Sequence, residues 1–404
     1  MKALRMLGLA AAATLAAGTA NAQITGNVIK IGVLTDMSSL YADIGGPGSV
    51  MAARMAVEDS KIESRGIKVE VLGGDHQNKP DVGSQIARQW YDADGVDVIV
   101  DVPNSGVALA VNQVTREKNK VFLDSGAATS DLTGKQCSPN TVHWTYDTWM
   151  LANGTGKAIV KTGGDTWFFI TADYAFGHAL EADTAAVVEK NGGKVLGKVR
   201  APLNTPDFSS FLLQAQSSKA KIIGLANAGG DTRNSIKQAA EFGIVQGGQN
   251  LAALLVFVND VKALGLQTAQ GLIFTETWYW DMNDPSRDFA KRFAARMNGQ
   301  YPSMSQAGSY AALLHYFKAV EALKSDGDGK AIVAKMKEMP TDDPLFGKGV
   351  VRQDGRKVHD AYLFEVKKPS ESKGPWDLYK LRATIPAAEA FRPLKDGGCE
   401  LVKG

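Results

Sequence analysis

Two short runs of small residues, Asn104-Ser105-Gly106 and Ser125-Gly126-Ala127-Ala128-Thr129, each follow an apolar strand-like segment and lead toward the next element. Hydroxyls and unobstructed backbone N–H groups at strand ends and helix starts can hold a carboxylate, because a helix N-terminus carries partial positive charge and unpaired donors. No strong nucleophile or base stands beside either run. Such loops suit holding a ligand rather than transforming it; two ordinary tight turns are the plain alternative.

Catalytic patterns fail on inspection. Gly46-Pro47-Gly48 begins a dinucleotide-binding G-x-G-x-x-G, but Met51 stands where the third glycine belongs. No G-x-S-x-G elbow surrounds Ser105 or Ser125. His76, His143, His178, His315 and His359 are scattered without metal or triad spacing, so no metal, cofactor or enzymatic activity is expected.

The elements that must carry these loops alternate. Strand-like runs Val28 to Leu34, Ile67 to Leu72, Asp97 to Val100 and Val121 to Leu123 are interleaved with helical segments. A second series begins after Thr145, with Trp167 to Thr171, Lys194 to Val199, Lys221 to Leu225 and Leu254 to Val258 as strands. About 380 residues exceed what one core serves, so an α/β protein of two Rossmann-like lobes with parallel sheets is expected. Open α/β sheets bind ligands at the carboxyl ends of their strands, and two facing sheets make a cleft. Tyr174-Ala175-Phe176-Gly177 and Asn227-Ala228-Gly229 fall at such ends in the second series, and Trp278-Tyr279-Trp280 adds aromatic surface that serves either a core or a ligand.

Lys2, Arg5, the apolar run Met6 to Ala17 and Ala20-Asn21-Ala22 have the parts of a secretory signal peptide spanning 1–22. Its removal brings the formal net charge of +2 to zero, and no later stretch approaches the length of a membrane span. Basic residues are interspersed with acidic ones, so neither nucleic acid nor membrane insertion is indicated. Cys137 and Cys399 are the only cysteines; export permits one bridge between them, and two separate thiols are the alternative.

The ordered set Ile29 to Leu34, the Ser105 loop, Ala127-Ala128-Thr129 with Asp131-Leu132-Thr133, Phe176-Gly177, Lys237-Gln238-Ala239 and Tyr310-Ala311-Ala312-Leu313 resembles the type I periplasmic solute-binding proteins of ABC importers, in the leucine/isoleucine/valine-binding branch. The resemblance implies a periplasmic protein whose two lobes close over a small ligand and dock on a membrane permease, with a monomeric chain expected. It places three hinge crossings near Thr145, Thr275 and Asp343, and divides the chain into lobe 1 (23–145 and 276–343), lobe 2 (146–275 and 344–380) and a tail (381–404). Ser105, Ala127 and Thr129 then match positions that grip a carboxylate, with Asn104 and Gly126 in the same loops. Ile44 matches the pocket wall with Tyr41 nearby, Phe176 closes the site from lobe 2, and Trp278, where the chain returns to lobe 1, is a further candidate.

The departures are informative. Amino-acid binders of this branch hold the ligand ammonium with a second-lobe glutamate and an aromatic residue; here the matching positions are Ala228 and somewhere in Phe257-Val258-Asn259, which offer no carboxylate. Asp231 or Asp260 substitutes only if the alignment shifts. A buried ammonium without an anion is costly. The expected ligand is therefore a carboxylate without an α-ammonium, an aromatic acid of the benzoate or phenylpropanoid kind, with an aliphatic amino acid or a sensory rather than transport role as alternatives.

Overall fold

The apolar run after Asn27 forms β1 (Val28–Thr35), inside a five-stranded parallel sheet with β2 (Lys68–Asp75), β3 (Val98–Asp101), β4 (Val121–Asp124) and β5 (Thr141–His143), ordered β2-β1-β3-β4-β5. The computed structural model describes residues 24–403, so the expected leader lies outside the described residues. β3 and β4 are buried along their whole length and read as continuous apolar runs, whereas the edge strand β2 alternates. Register aligns the last residues of three neighbouring strands, Asp101 beside Asp124 and Asp124 beside His143. The two small-residue loops therefore rise from one end of one sheet.

The helix Met304–Leu323 packs against the helix Gly46–Ser60 and against β3 and β4, and is buried along most of its length. This places a late stretch of chain in lobe 1. Lobe 2 has its own parallel sheet, β6 (Thr166–Ala172), β7 (Lys194–Ala201), β8 (Ile222–Ala226) and β9 (Asn250–Ala253), ordered β7-β6-β8-β9. Gly177 lets the helix Ala175–Lys190 start tightly off β6, since a Cβ there would lie 2.0 Å from the Ala172 carbonyl oxygen. That contact sets Tyr174 and Phe176 at the carboxyl end of β6.

Three expectations about chain course are corrected. Leu254 to Val258 does not form a strand: β9 ends at Ala253, and the Asp260 carboxylate accepts from the Phe257 N–H to start a helix at Val258. The segment is apolar because it is buried at a strand end. Second, the chain stays with lobe 1 beyond Asp343. After β10 (Ile273–Glu276), strands β11 (Thr341–Asp343), β12 (Gly347–Val351) and β13 (Lys357–Val358) form a small antiparallel sheet, and Arg356 bridges His143 of β5. The third crossing thus falls between Val358 and β14 (Ala361–Val366), because Gly347 turns β11 back into a hairpin. Third, β15 (Tyr379–Ile385) pairs with β14 in lobe 2, so the tail begins at Pro386 instead of 381.

The first and third crossings are pinned together. Arg356, fully buried, donates to the carbonyls of Thr145 at 2.6 Å and Tyr146 at 3.3 Å, while His359 Nε2 lies 3.2 Å from the Trp144 carbonyl and 3.1 Å from that of Thr145. These bonds satisfy carbonyls that belong to no sheet, as buried backbone requires. Cys137 and Cys399 form the bridge, joining the tail to lobe 1 across 262 residues of sequence.

Such a loop implies a stabilisation of about 5 to 6 kcal/mol in the chain-entropy account. The Cys137→Ser, Cys399→Ser double variant is expected to lose that much unfolding free energy, read as a lower urea midpoint at unchanged slope. An unchanged midpoint would show that the bridge carries no stability.

Candidate functional site

The strand ends of lobe 1 build one wall of an interlobe cavity from Tyr41, Ile44, Pro103, Ser105, Gly126 and Ala128; Tyr146 enters from the first crossing, and Tyr174, Phe176, Ala228 and Leu255 form the facing wall. Its polar centre is Ser105, the first residue of the helix Ser105–Lys118. Ser105 Oγ accepts from the N–H groups of Ala128 at 3.3 Å and Thr129 at 3.2 Å, which leaves the single hydroxyl proton for a group in the cavity. The helix dipole, one hydroxyl and two loop N–H groups converge there.

The backbone beneath is held rigidly. Asp124 Oδ1 accepts from Gly126 at 3.2 Å and Ala127 at 2.9 Å, the Thr145 hydroxyl donates to the Ser125 carbonyl at 2.6 Å, and the Tyr146 hydroxyl donates to the Gly126 carbonyl at 2.5 Å. On the other loop, Asp101 and Val102 lie at φ +84° and +60°, a region that side-chain-bearing residues seldom adopt and a β-branched one least of all. Strain of this kind persists only where its surroundings impose it, and it turns the chain sharply into Pro103-Asn104-Ser105.

The lobes meet at the rim. Tyr41 and Tyr174 hydroxyls from opposite lobes lie 2.6 Å apart, and Arg233 Nη1 reaches Asp43 Oδ2 across the cleft at 3.0 Å while also pairing with Asp260 at 3.3 Å. Burial raises the Tyr41, Tyr146 and Tyr174 phenols above their ordinary range, so all three are neutral hydrogen-bonding groups. Closure leaves about 10 Å³ of free space, near the room of one water molecule.

Of the residues singled out in the sequence, the structure brings Tyr41, Ile44, Ser105, Gly126, Phe176 and Ala228 together at the cavity. Five sit elsewhere. Asn104 caps the helix, its Oδ1 accepting from Gly106 and Val107. Ala127 is engaged below the loop, its carbonyl 3.0 Å from His143 Nε2. Thr129 offers its backbone N–H while its hydroxyl accepts from Asp131. Phe257 packs edge-on against Tyr146, and Trp278 is core, its indole donating to Ser286 and its ring set against Phe289.

Tyr146, Tyr174, Leu255, Pro103 and Ala128 complete the lining. Tyr174 was legible as a neighbour of Phe176 at a strand end; Tyr146 arrives from the crossing and left no local signal. The lining contains no charged side chain. Asp260 is occupied by Arg233 and the Phe257 N–H. Among the described residues no cluster of His, Cys, Asp or Glu is arranged for a metal, and no helix is long and apolar enough to cross a membrane.

Two parallel-sheet lobes on a three-crossing hinge, with an uncharged polar anchor in the cleft, define a ligand-binding protein rather than a catalyst. Residues 28–374 match the periplasmic binding protein family, and the chain belongs to it. It is 54% identical to a periplasmic binding protein from Burkholderia mallei, covering 94% of this chain and 100% of that one with a TM-score of 0.91. It is 40% identical to a branched chain amino acid ABC transporter periplasmic ligand-binding protein from Burkholderia xenovorans, over 92% and 99% of the two chains, TM-score 0.82. A solute-binding protein of an R. palustris ABC transporter, in complex with 4-hydroxybenzoate, shares the fold at 22% identity, 89% and 97% coverage and TM-score 0.77. The chain is thus a periplasmic substrate-binding component of an ABC transporter, and its family is one of solute binders, not enzymes.

Burial raises Asp101, under the anchor, from an ordinary value near 3.8 to about 6, against the hydroxyls of Thr35, Ser49 and Ser305. The folded state therefore binds this proton more tightly than the unfolded chain, and the stability it contributes is full below about pH 4 and lost as pH rises through about 6. Asp101→Asn is expected to flatten the loss of stability between those values by up to about 3 kcal/mol. Parallel urea-unfolding profiles for the two proteins would refute this.

Proposed function

We propose that the cleft binds a small aromatic carboxylate of the benzoate or phenylpropanoid kind and presents it to a membrane permease. One observation carries the reading: the cavity opposes a hydroxyl-and-amide anchor with walls that are otherwise aliphatic, aromatic or phenolic, and no acidic side chain lines it. Beyond β9 the residue that reaches the cavity is Leu255, while Phe257, Val258 and Asn259, the positions matched to the acid of the amino-acid binders, do not line it. An ammonium there would lose its hydration without gaining an anion.

The magnitudes are sufficient. Burying a benzene-sized ring removes on the order of 100 to 150 Å² of apolar surface, about 3 kcal/mol. A charge-assisted bond contributes about 1.5 to 3 kcal/mol; the Ser105 hydroxyl supplies one, and the Ala128 and Thr129 N–H groups supply more only on exchanging Ser105 Oγ for the ligand. Micromolar affinity requires about 8 kcal/mol. A ring needs roughly 150 Å³, so the walls must part to admit it and then close again. Ligand favours closure because only the closed form offers contacts from both lobes.

A second reading, an aliphatic amino acid, draws support from Asp231. Its Oδ1 is buried without a partner, its charge is felt by both Tyr41 and Tyr174, and burial raises its carboxyl to about 6. Asp231 does not line the cavity, which leaves the aromatic acid as the better fit.

Titration calorimetry with benzoate, 4-hydroxybenzoate and leucine separates the two. Micromolar or tighter binding of an aromatic acid is expected; tight leucine binding with no heat from either acid would overturn the reading. Ser105→Ala is expected to weaken acid binding about tenfold, one charge-assisted bond, in a protein that still folds but melts at a lower temperature, since the Ala128 and Thr129 N–H groups lose their acceptor. Unchanged affinity would remove Ser105 from the anchor.

A further inference from the structure

The chain beyond residue 374 lies outside the family match, yet it returns to the binding site. After β15 leaves lobe 2 at Ile385, the tail crosses the hinge: the Ala387 N–H donates to Asp360 at 2.8 Å, Asn153 of lobe 2 donates to the Glu389 carbonyl at 2.8 Å, and the Phe391 ring lies 4.5 Å from the buried Arg356 guanidinium. It then reaches lobe 1. Arg352 donates to the Arg392 carbonyl at 2.8 Å, and the Arg392 guanidinium donates to the Ser130 carbonyl at 2.8 Å and lies 3.4 Å from its hydroxyl. The Cys137–Cys399 bridge secures this return.

Ser130 is the residue after Thr129, whose N–H reaches Ser105 Oγ, so it ends the carboxylate anchor. Its own hydroxyl donates to Asp183 of lobe 2 at 2.9 Å, where the Thr148 hydroxyl also donates at 2.6 Å. We propose that the C-terminal segment is a positioning element of the ligand site: Arg392, held on lobe 1 by the disulfide, orients Ser130 and thereby both the anchor loop and its bond to Asp183 across the cleft. The proposal rests on the two-lobed binding of a carboxylate argued above. Mechanically, Arg392 stays with Ser130 when the lobes part, so the anchor keeps its shape and Ser130 is aimed to rejoin Asp183 on closure. The tail thereby acts as a fourth link between lobes that the three crossings already join.

The test uses the full, disulfide-intact protein with Arg392→Gln, Arg392→Lys and Asp183→Asn, each checked for an unchanged far-ultraviolet spectrum. Hydrogen exchange of the free protein is followed on peptides covering residues 126–134. Arg392→Gln, and reduction of the wild type with a thiol, are expected to speed exchange there severalfold, with Arg392→Lys restoring most of the protection. With benzoate as the probe, Arg392→Gln and Asp183→Asn are each expected to raise Kd about five- to tenfold, and the pair to raise it less than the product, since both act through Ser130. Unchanged exchange in Arg392→Gln overturns the proposal whether or not benzoate binds. Faster exchange in a protein that binds no aromatic acid sustains the positioning role and defeats the ligand reading instead.

Discussion

An anion taken out of water into a site without a cation must be held by dipoles, and dipoles hold it only if they cannot turn away. With the carboxylate ligand proposed above, much of lobe 1 answers to this constraint. Asp124 fixes the N–H groups of Gly126 and Ala127, Thr145 and Tyr146 hold the carbonyls of Ser125 and Gly126, and Ser305 from the late helix donates to the Ser125 carbonyl at 3.0 Å. Ser125 also meets Ser309 at 2.7 Å. Because the ends of β3, β4 and β5 are in register, the supporting groups stand in a row under the loops they orient. Burial disfavours charge on Asp101 and Asp124, so these acids shape the loops while opposing a bound anion less than free carboxylates would.

Arg356, beside β5 of lobe 1, and His359, in the third crossing, both hold carbonyls of the first crossing, which ties the two crossings together at the hinge. At the rim the lobes touch through the Tyr41–Tyr174 hydroxyl pair, the partly exposed Arg233–Asp43 ion pair and the Gly230 N–H against the Leu40 carbonyl. Partly exposed pairs contribute little. A ligand that adds contacts from both walls can therefore shift the balance toward closure by the difference in those contacts.

The two anchor loops were legible because their signals are local: a hydroxyl residue and glycine at a helix start declare themselves in a few positions. The same local logic explains Asn104, whose place before Ser105-Gly106 is that of a capping residue. The aromatic residues were less legible. Trp278 and Phe257 have the composition of a ligand platform but were claimed by cores, while Tyr146 reached the cavity from a crossing with nothing around it to announce the role. Leu255 lay in a run that read as strand until Asp260 turned it into a helix entry.

What this sequence determined by itself is the alternation of strands and helices, the small-residue loops and the absence of an assembled catalytic motif, all consequences of side-chain periodicity and short-range backbone chemistry. Tertiary structure decided which strand ends face one another, where the third crossing falls and that the tail returns to lobe 1. Tyr41 with Tyr174, Arg356 with Thr145 and Arg392 with Ser130 are pairings between distant residues. Their meeting depends on how whole sheets and helices pack, a sum of many weak burial terms that no short window of sequence contains.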